Sequence, residues 1–438
     1  MQKKRRNFIK MSALAGLGIA EGGLLKGLAL TGSDDAGLQS SLLNHESMAE
    51  QNHSSFDAAG VSLIGAYGSW AAGLTEKQLP SFSYRGDKWK DLSGWRKAAK
   101  ERLLDRLAVP EIGGLPVVNV KKRYEYDGLQ IEELSWQLPY GNATDAIVLK
   151  PLNRKGRLPA ILAFHDHGGN KYFGTRKIIR TSDRQHELMV EHQIEYYEGR
   201  AWANEIAKRG YVVLVSDAFP FASRRVLLKD VPAHLRGGLN DDNPELSKNI
   251  KAYNKWAAEH EHVMAKSLFS AGTTWPGVFF AEDRKALDIL CAREDVDANR
   301  VGCAGLSGGG MRTVFMAGID ERIKCAVPVG FMTTWKDFLL NKSFTHTWMT
   351  YVPVLPNELD FPEILGLRVP KPTLVLNDID DGLYTMPEMT RADEILQQVF
   401  KKAGAADQYK CSFYPGIHKF DRAMQEEAFD WFDRWLKS

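Results

Sequence analysis

Between residues 160 and 435, short, continuously apolar runs alternate with helical segments, and few folds can satisfy that pattern. The runs at 160–164, 212–215, 300–304, 325–329, 373–376 and 409–414 read as strands. Apolar residues at three- and four-residue steps mark helices at 199–209, 281–292, 309–318, 387–403 and 424–435. A strand that is apolar on both faces must be covered on both, and parallel neighbours need crossover helices. The expected fold class is therefore α/β: a mostly parallel sheet with helices on each face. Strand-like runs at 117–126, 129–138 and 144–149, after a Gly/Pro-rich break at 110–116, suit an antiparallel start to the same sheet.

Three insertions interrupt the alternation, at 172–197, 224–274 and 333–369. In the second, Leu246, Ile250, Tyr253, Ala257, His260, Met264 and Leu268 fall on one helical stripe, as in a lid packed on the domain. Ahead of the sheet, 36–110 reads as a polar linker followed by a helical appendage whose helix covers 92–107. The catalytic domain is expected at 111–438.

The first 35 residues read as an address. Arg5-Arg6-Asn7-Phe8-Ile9-Lys10 precedes a weakly apolar, glycine-rich stretch, the pattern of a twin-arginine export signal. The stretch is too short for a membrane span of about 20 residues, so the processed protein is expected to be soluble and periplasmic or extracellular. Four cysteines without close paired spacing read as buried free thiols. A formal net charge of +2 gives no electrostatic reason for a nucleic-acid partner. The oligomeric state is not legible.

The chemistry centres on Gly305-Leu306-Ser307-Gly308-Gly309, which joins the strand at 300–304 to the helix after it. A serine on so tight a strand-to-helix turn has its hydroxyl thrown up at the sheet edge, and glycines let neighbouring backbone pass close. A serine hydroxyl is a weak nucleophile and needs a base, itself oriented by an acid. His418, in the loop between the last strand and the last helix, stands where the base belongs. The acid should follow the strand at 373–376, where Asn377, Asp378, Asp380 and Asp381 compete. Asp381 best matches the expected distance from the strand end, and Asp380 is the alternative.

The stretch His165-Asp166-His167-Gly168-Gly169 admits two readings. His165 and His167 could hold a metal. The Gly pair and the downstream residues favour the other reading, in which the loop supplies an oxyanion N–H. The donors are then the N–H groups of Gly308 and His167, with Gly168 as the alternative to His167. Asp217 and Asp283 read as structural, satisfying turns and caps.

Together the stretches at 164–169, 305–309, 376–381 and 417–420 resemble the dienelactone hydrolase and acetyl xylan esterase-like branch of the α/β-hydrolases, over roughly 117 to the C-terminus. One departure is Asp378, where a glycine is common. The resemblance implies a serine hydrolase that cleaves acetyl or similar esters of carbohydrates or small molecules, with no metal or organic cofactor. A peptidase or lactone hydrolase using the same triad, and a non-enzymatic binding protein on the same scaffold, are the competing functions.

Overall fold

The computed structural model describes residues 62–437 except 76, 77, 153 and 155. The export signal and most of the linker expected before 62 lie outside the described residues.

A nine-stranded sheet organises the chain, in the order β1-β2-β3-β5-β4-β6-β7-β8-β9. β1 (Val118–Tyr126), β2 (Leu129–Trp136) and β3 (Thr144–Pro151) form an antiparallel meander, and β3 also pairs antiparallel with β5 (Val212–Ser216). From there β4 (Leu158–Phe164), β6 (Val296–Leu306), β7 (Ile323–Val329), β8 (Thr373–Asp378) and β9 (Tyr409–Tyr414) are parallel neighbours.

The period-two geometry of a strand sends alternate side chains to opposite faces, and the core divides accordingly. Ala160, Leu162 and Phe164 of β4 join one cluster with α1 (Leu92–Leu107), α6 (Trp275–Cys291), α7 (Gly308–Ile319), α8 (Phe361–Gly366) and α9 (Met386–Lys402). Ile161 and Ala163 join the other, with Trp202 and Ile206 of α3 (Trp202–Lys208) and Phe429 and Phe432 of α10 (Arg422–Leu436). This is the doubly covered sheet expected from the continuously apolar strands.

The helix at Leu92–Leu107 belongs to the first cluster through Trp95, Ala99, Leu103 and Leu107. Thr274 Oγ1 donates to the Leu107 carbonyl at 2.7 Å, and a Cβ on Gly277 would collide with that same carbonyl. Only glycine fits there, so the contact also explains the start of α6. The expected boundary at 281 was too late because Trp275-Pro276-Gly277 reads as a loop. Thr274 caps the helix by accepting from Gly277 N, and Pro276 occupies the first turn, where no N–H is needed.

Two further expectations are corrected. The single lid helix of the second insertion is two, α4 (Ser247–Glu259) and α5 (Glu261–Ser270), broken at His260. Asp283 does not cap a helix start: it lies inside α6 and pairs with Arg312 of α7 through Nε–Oδ2 at 2.9 Å and Nη2–Oδ1 at 2.5 Å. Asp217 does bind a turn, accepting from Thr175 N and Ser223 N. All four cysteines are free, with Cys303 and Cys325 buried.

Candidate active site

Parallel register brings the carboxyl ends of the central strands level. Phe164 of β4 faces Gly305 of β6, and Leu306 of β6 faces Val329 of β7. Functional residues in open α/β sheets gather at these ends, and every candidate lies on a loop leaving one of them.

Ser307 sits between β6 and α7 with φ 58° and ψ −118°. A side chain at positive φ outside glycine is strained and persists only where its surroundings hold it. The Ser307 N–H donates to the Val329 carbonyl at 2.8 Å, and its carbonyl accepts from Met311 N at 2.9 Å. A Cβ on Gly305 would stand 2.6 Å from the Phe164 carbonyl oxygen, and one on Gly310 would stand 2.5 Å from that of Val329. The elbow therefore requires glycine at these places. Gly308 opens α7, so its N–H has no intrahelical partner and lies at the positive end of the helix dipole. A Cβ there would be 3.2 Å from His167 N, which measures how closely the two backbones approach.

His418 donates from Nδ1 to Oδ2 of Asp381 at 2.6 Å. This fixes the tautomer whose Nε2 carries a lone pair, and that Nε2 is buried without a hydrogen-bond partner among the described residues. Burial alone would lower the His418 pKa. The charge and hydrogen bond of Asp381, with Asp378 and Asp166 further off, outweigh it and leave the group raised. Asp381 is buried and also accepts from Leu383 N at 2.9 Å. Asp380 is exposed and turns to Gly416 N at 3.1 Å instead. Asp378 is buried behind the loop, where Oδ2 accepts from Lys419 N at 3.0 Å and burial pushes its pKa up to about 7.

Ser307, Gly308, His167, Gly168 and His418 line one cavity of about 370 Å³. Lys177, fully buried, donates to the carbonyls of Asp166 and His167 at 2.8 Å each, so both carbonyls are occupied within the loop. Asp166 lines the same cavity, but its carboxylate is committed, buried against His192, Tyr197 and Lys177. His165 is committed too, its Nε2 accepting from Ala218 N and its Nδ1 donating to the Asp166 carbonyl. Among the described residues no group of three His, Cys, Asp or Glu side chains could hold a metal.

Sequence reasoning missed several residues of this site. Gly330, at φ 56°, lies against the His418 ring, and a Cβ there would be 2.9 Å from Cε1 of His418. His346, from the third insertion, lines the cavity, and burial pushes its pKa down to about 4. Glu261 and Lys177 come from the insertions and carried no local signal. Arg312 did carry one, as a lone cation within an otherwise apolar helix.

With the sheet order, the elbow and the loops in place, the class is defined: this is the α/β-hydrolase fold. Comparison with known proteins agrees with this fold. Residues 270–372, which contain Ser307, match the prolyl oligopeptidase family. Over 307 residues the chain is 24% identical to YtaP of Bacillus subtilis (strain 168), a protein provisionally named as a hydrolase, covering 70% of this chain and 88% of that one. Among solved structures it is similar to a Bacteroides fragilis NCTC 9343 protein provisionally named as an acetyl xylan esterase, with 18% identity, TM-score 0.58 and coverage of 81% and 84% of the two chains. A glucuronoyl esterase from Solibacter usitatus gives 13% identity, TM-score 0.55 and coverage of 81% and 97%.

Proposed function

We propose that the chain is a carboxylic-ester hydrolase in which Ser307 is the nucleophile, His418 the general base and Asp381 the acid that orients it. The observation that carries this reading is His418 itself. It is bonded to Asp381 at 2.6 Å on one ring nitrogen and lines the cavity of Ser307 with the other nitrogen unpartnered among the described residues.

The steps follow from the geometry. Ser307 Oγ attacks the ester carbonyl carbon while Nε2 of His418 takes the hydroxyl proton. The carbonyl oxygen becomes an oxyanion, held by the N–H groups of Gly308 and His167. As the carbonyl re-forms, the C–O bond to the alcohol breaks and His418 returns its proton to the departing oxygen. Water then attacks the acyl-Ser307 by the same route in reverse, releasing the acid and restoring the serine.

A cavity of about 370 Å³ suits a small ester or a single acylated sugar unit. The esterase names of the structural relatives point to the same substrate class. The prolyl oligopeptidase match favours a second reading, a peptidase using the same three residues. Purified protein assayed on acetylated sugars, aryl esters, lactones and proline-containing peptides separates the two. Cleavage of esters but not of peptides is expected; the opposite result moves the chain to the peptidases.

We also infer export, from the Arg5-Arg6 motif and the apolar stretch after it. No helix of the described residues is long and apolar enough to cross a membrane.

A further inference from the structure

Three of the stretches that wall the cavity are the loop carrying His167, helix α5 of the second insertion, and the third insertion around Thr347. One buried carboxylate joins all three. Glu261, the first residue of α5, receives His167 Nε2 at 3.0 Å and Lys171 Nζ at 2.5 Å on Oε1. On Oε2 it receives Thr347 Oγ1 at 2.6 Å and Trp348 N at 3.0 Å.

All four partners are donors. Lysine, threonine hydroxyl and backbone N–H are so here by their chemistry and geometry. His167 is so by its tautomer, because its Nδ1 already accepts from Gly169 N at 3.1 Å, which leaves the proton on Nε2. An ionised carboxylate is an acceptor only, with about four lone-pair sites. Four donors therefore meet four lone pairs. Glu261 is 5% exposed, and although burial opposes its charge, His167 and Lys171 hold its pKa far below the usual carboxylate range.

We propose that Glu261 is a positioning residue for the oxyanion hole: by gripping the His167 side chain it fixes where the His167 N–H points, and by gripping Thr347 and Trp348 it makes that position depend on both insertions being closed over the cavity. This rests on the esterase reading, in which the His167 N–H binds the oxyanion. Besides Glu261, the His167 ring is held by Gly169 N on Nδ1 and by an edge contact with Phe221, and of these only Glu261 also reaches Thr347 and Trp348. Lys177 anchors the backbone on the other side, through the Asp166 and His167 carbonyls and the Asp166 carboxylate, so Glu261 adds the side-chain hold that ties this loop to the two insertions.

A glutamine keeps the shape and loses the match. It offers one acceptor oxygen, and its NH2 must face two other donors. Glu261→Gln should lower kcat on an aryl acetate by on the order of 10–100-fold while KM stays within about threefold. The decisive readout is a trifluoromethyl ketone, which forms a tetrahedral oxyanion adduct with a reactive serine. Its Ki should rise in step with the loss of kcat, because binding to the oxyanion hole is what both measure. A residue that merely stabilises the fold would move the melting temperature and leave the ratio of Ki to KM alone.

If Glu261→Gln does not fold, Thr347→Val decides. It is nearly isosteric and removes one donor, and it should give a smaller change of the same kind, about threefold to tenfold in kcat and Ki together. An unchanged ratio of Ki to KM in the folded variant would overturn the proposal. Failure of the esterase reading is separately visible, since the parent protein would then take no fluorophosphonate label on Ser307 or, labelled, would cleave peptides and leave the aryl acetate untouched.

Discussion

His418 Nδ1 and Asp381 Oδ2 lie 2.6 Å apart, while Asp380, one residue earlier, points to the Gly416 backbone. Adjacent residues on a turn face different ways, so only one can hold the imidazole. Asp381→Asn should lower kcat on the order of ten-thousand-fold, and Asp380→Asn should leave it within about threefold. The pH profile gives an independent check. His418 acts as a base only when neutral, and its pKa is raised above the ordinary histidine value. Activity should therefore fall on the acid side with an apparent pKa above about 6.5. Removing the Asp381 charge removes the chief raising influence, so the residual activity of Asp381→Asn should persist to lower pH. A limb that does not move would break the link between the two residues.

Gly330 supports the same histidine. At φ 56°, and with a Cβ that would stand 2.9 Å from Cε1 of His418, it tolerates no side chain without displacing the ring. Gly330→Ala should lower kcat at least tenfold, a displacement of about 1 Å near the chemistry being costly. Steady-state kinetics on an aryl acetate, with circular dichroism to confirm folding, measures it.

The Asp283–Arg312 pair joins α6 to α7 beneath the elbow, with side chains only 4% and 2% exposed. Removing one partner strands the other charge out of water. Arg312→Ala should destabilise the fold by about 3–5 kcal/mol, read as a lower midpoint in urea unfolding. A midpoint like the parent's would mean that the pair is not the fastening it resembles.

Changing both Arg5 and Arg6 to lysine should leave the precursor in the cytoplasm, as read by cell fractionation. Unchanged export would remove the twin-arginine inference.

Legibility in the sequence followed the range of the interactions. The strands were readable because burial on both faces leaves unbroken apolar runs such as Ala160 to Phe164. The Ser307 elbow and the His418 loop were readable because each is local: a tight turn needs its glycines within a few residues. Glu261 and Lys177 were not readable, because their partners lie 94 residues (His167) and 11 residues (the Asp166 carbonyl) away and neither sits in a periodic pattern. The break at His260 was hidden because a helical stripe can run through a bend in phase. Asp283 was misplaced because the start of α6 is set by the contact of Thr274 and Gly277 with Leu107, which for Thr274 lies 167 residues away in sequence.

The most direct test of the account is the site of covalent capture. Purified protein treated with a fluorophosphonate and digested should carry the adduct on the peptide containing Ser307. Ser307→Ala should take no label and should lose turnover on the order of a million-fold while melting like the parent. A label on another residue, or a Ser307→Ala protein within tenfold of the parent's activity, would contradict the assignment of Ser307 as the nucleophile.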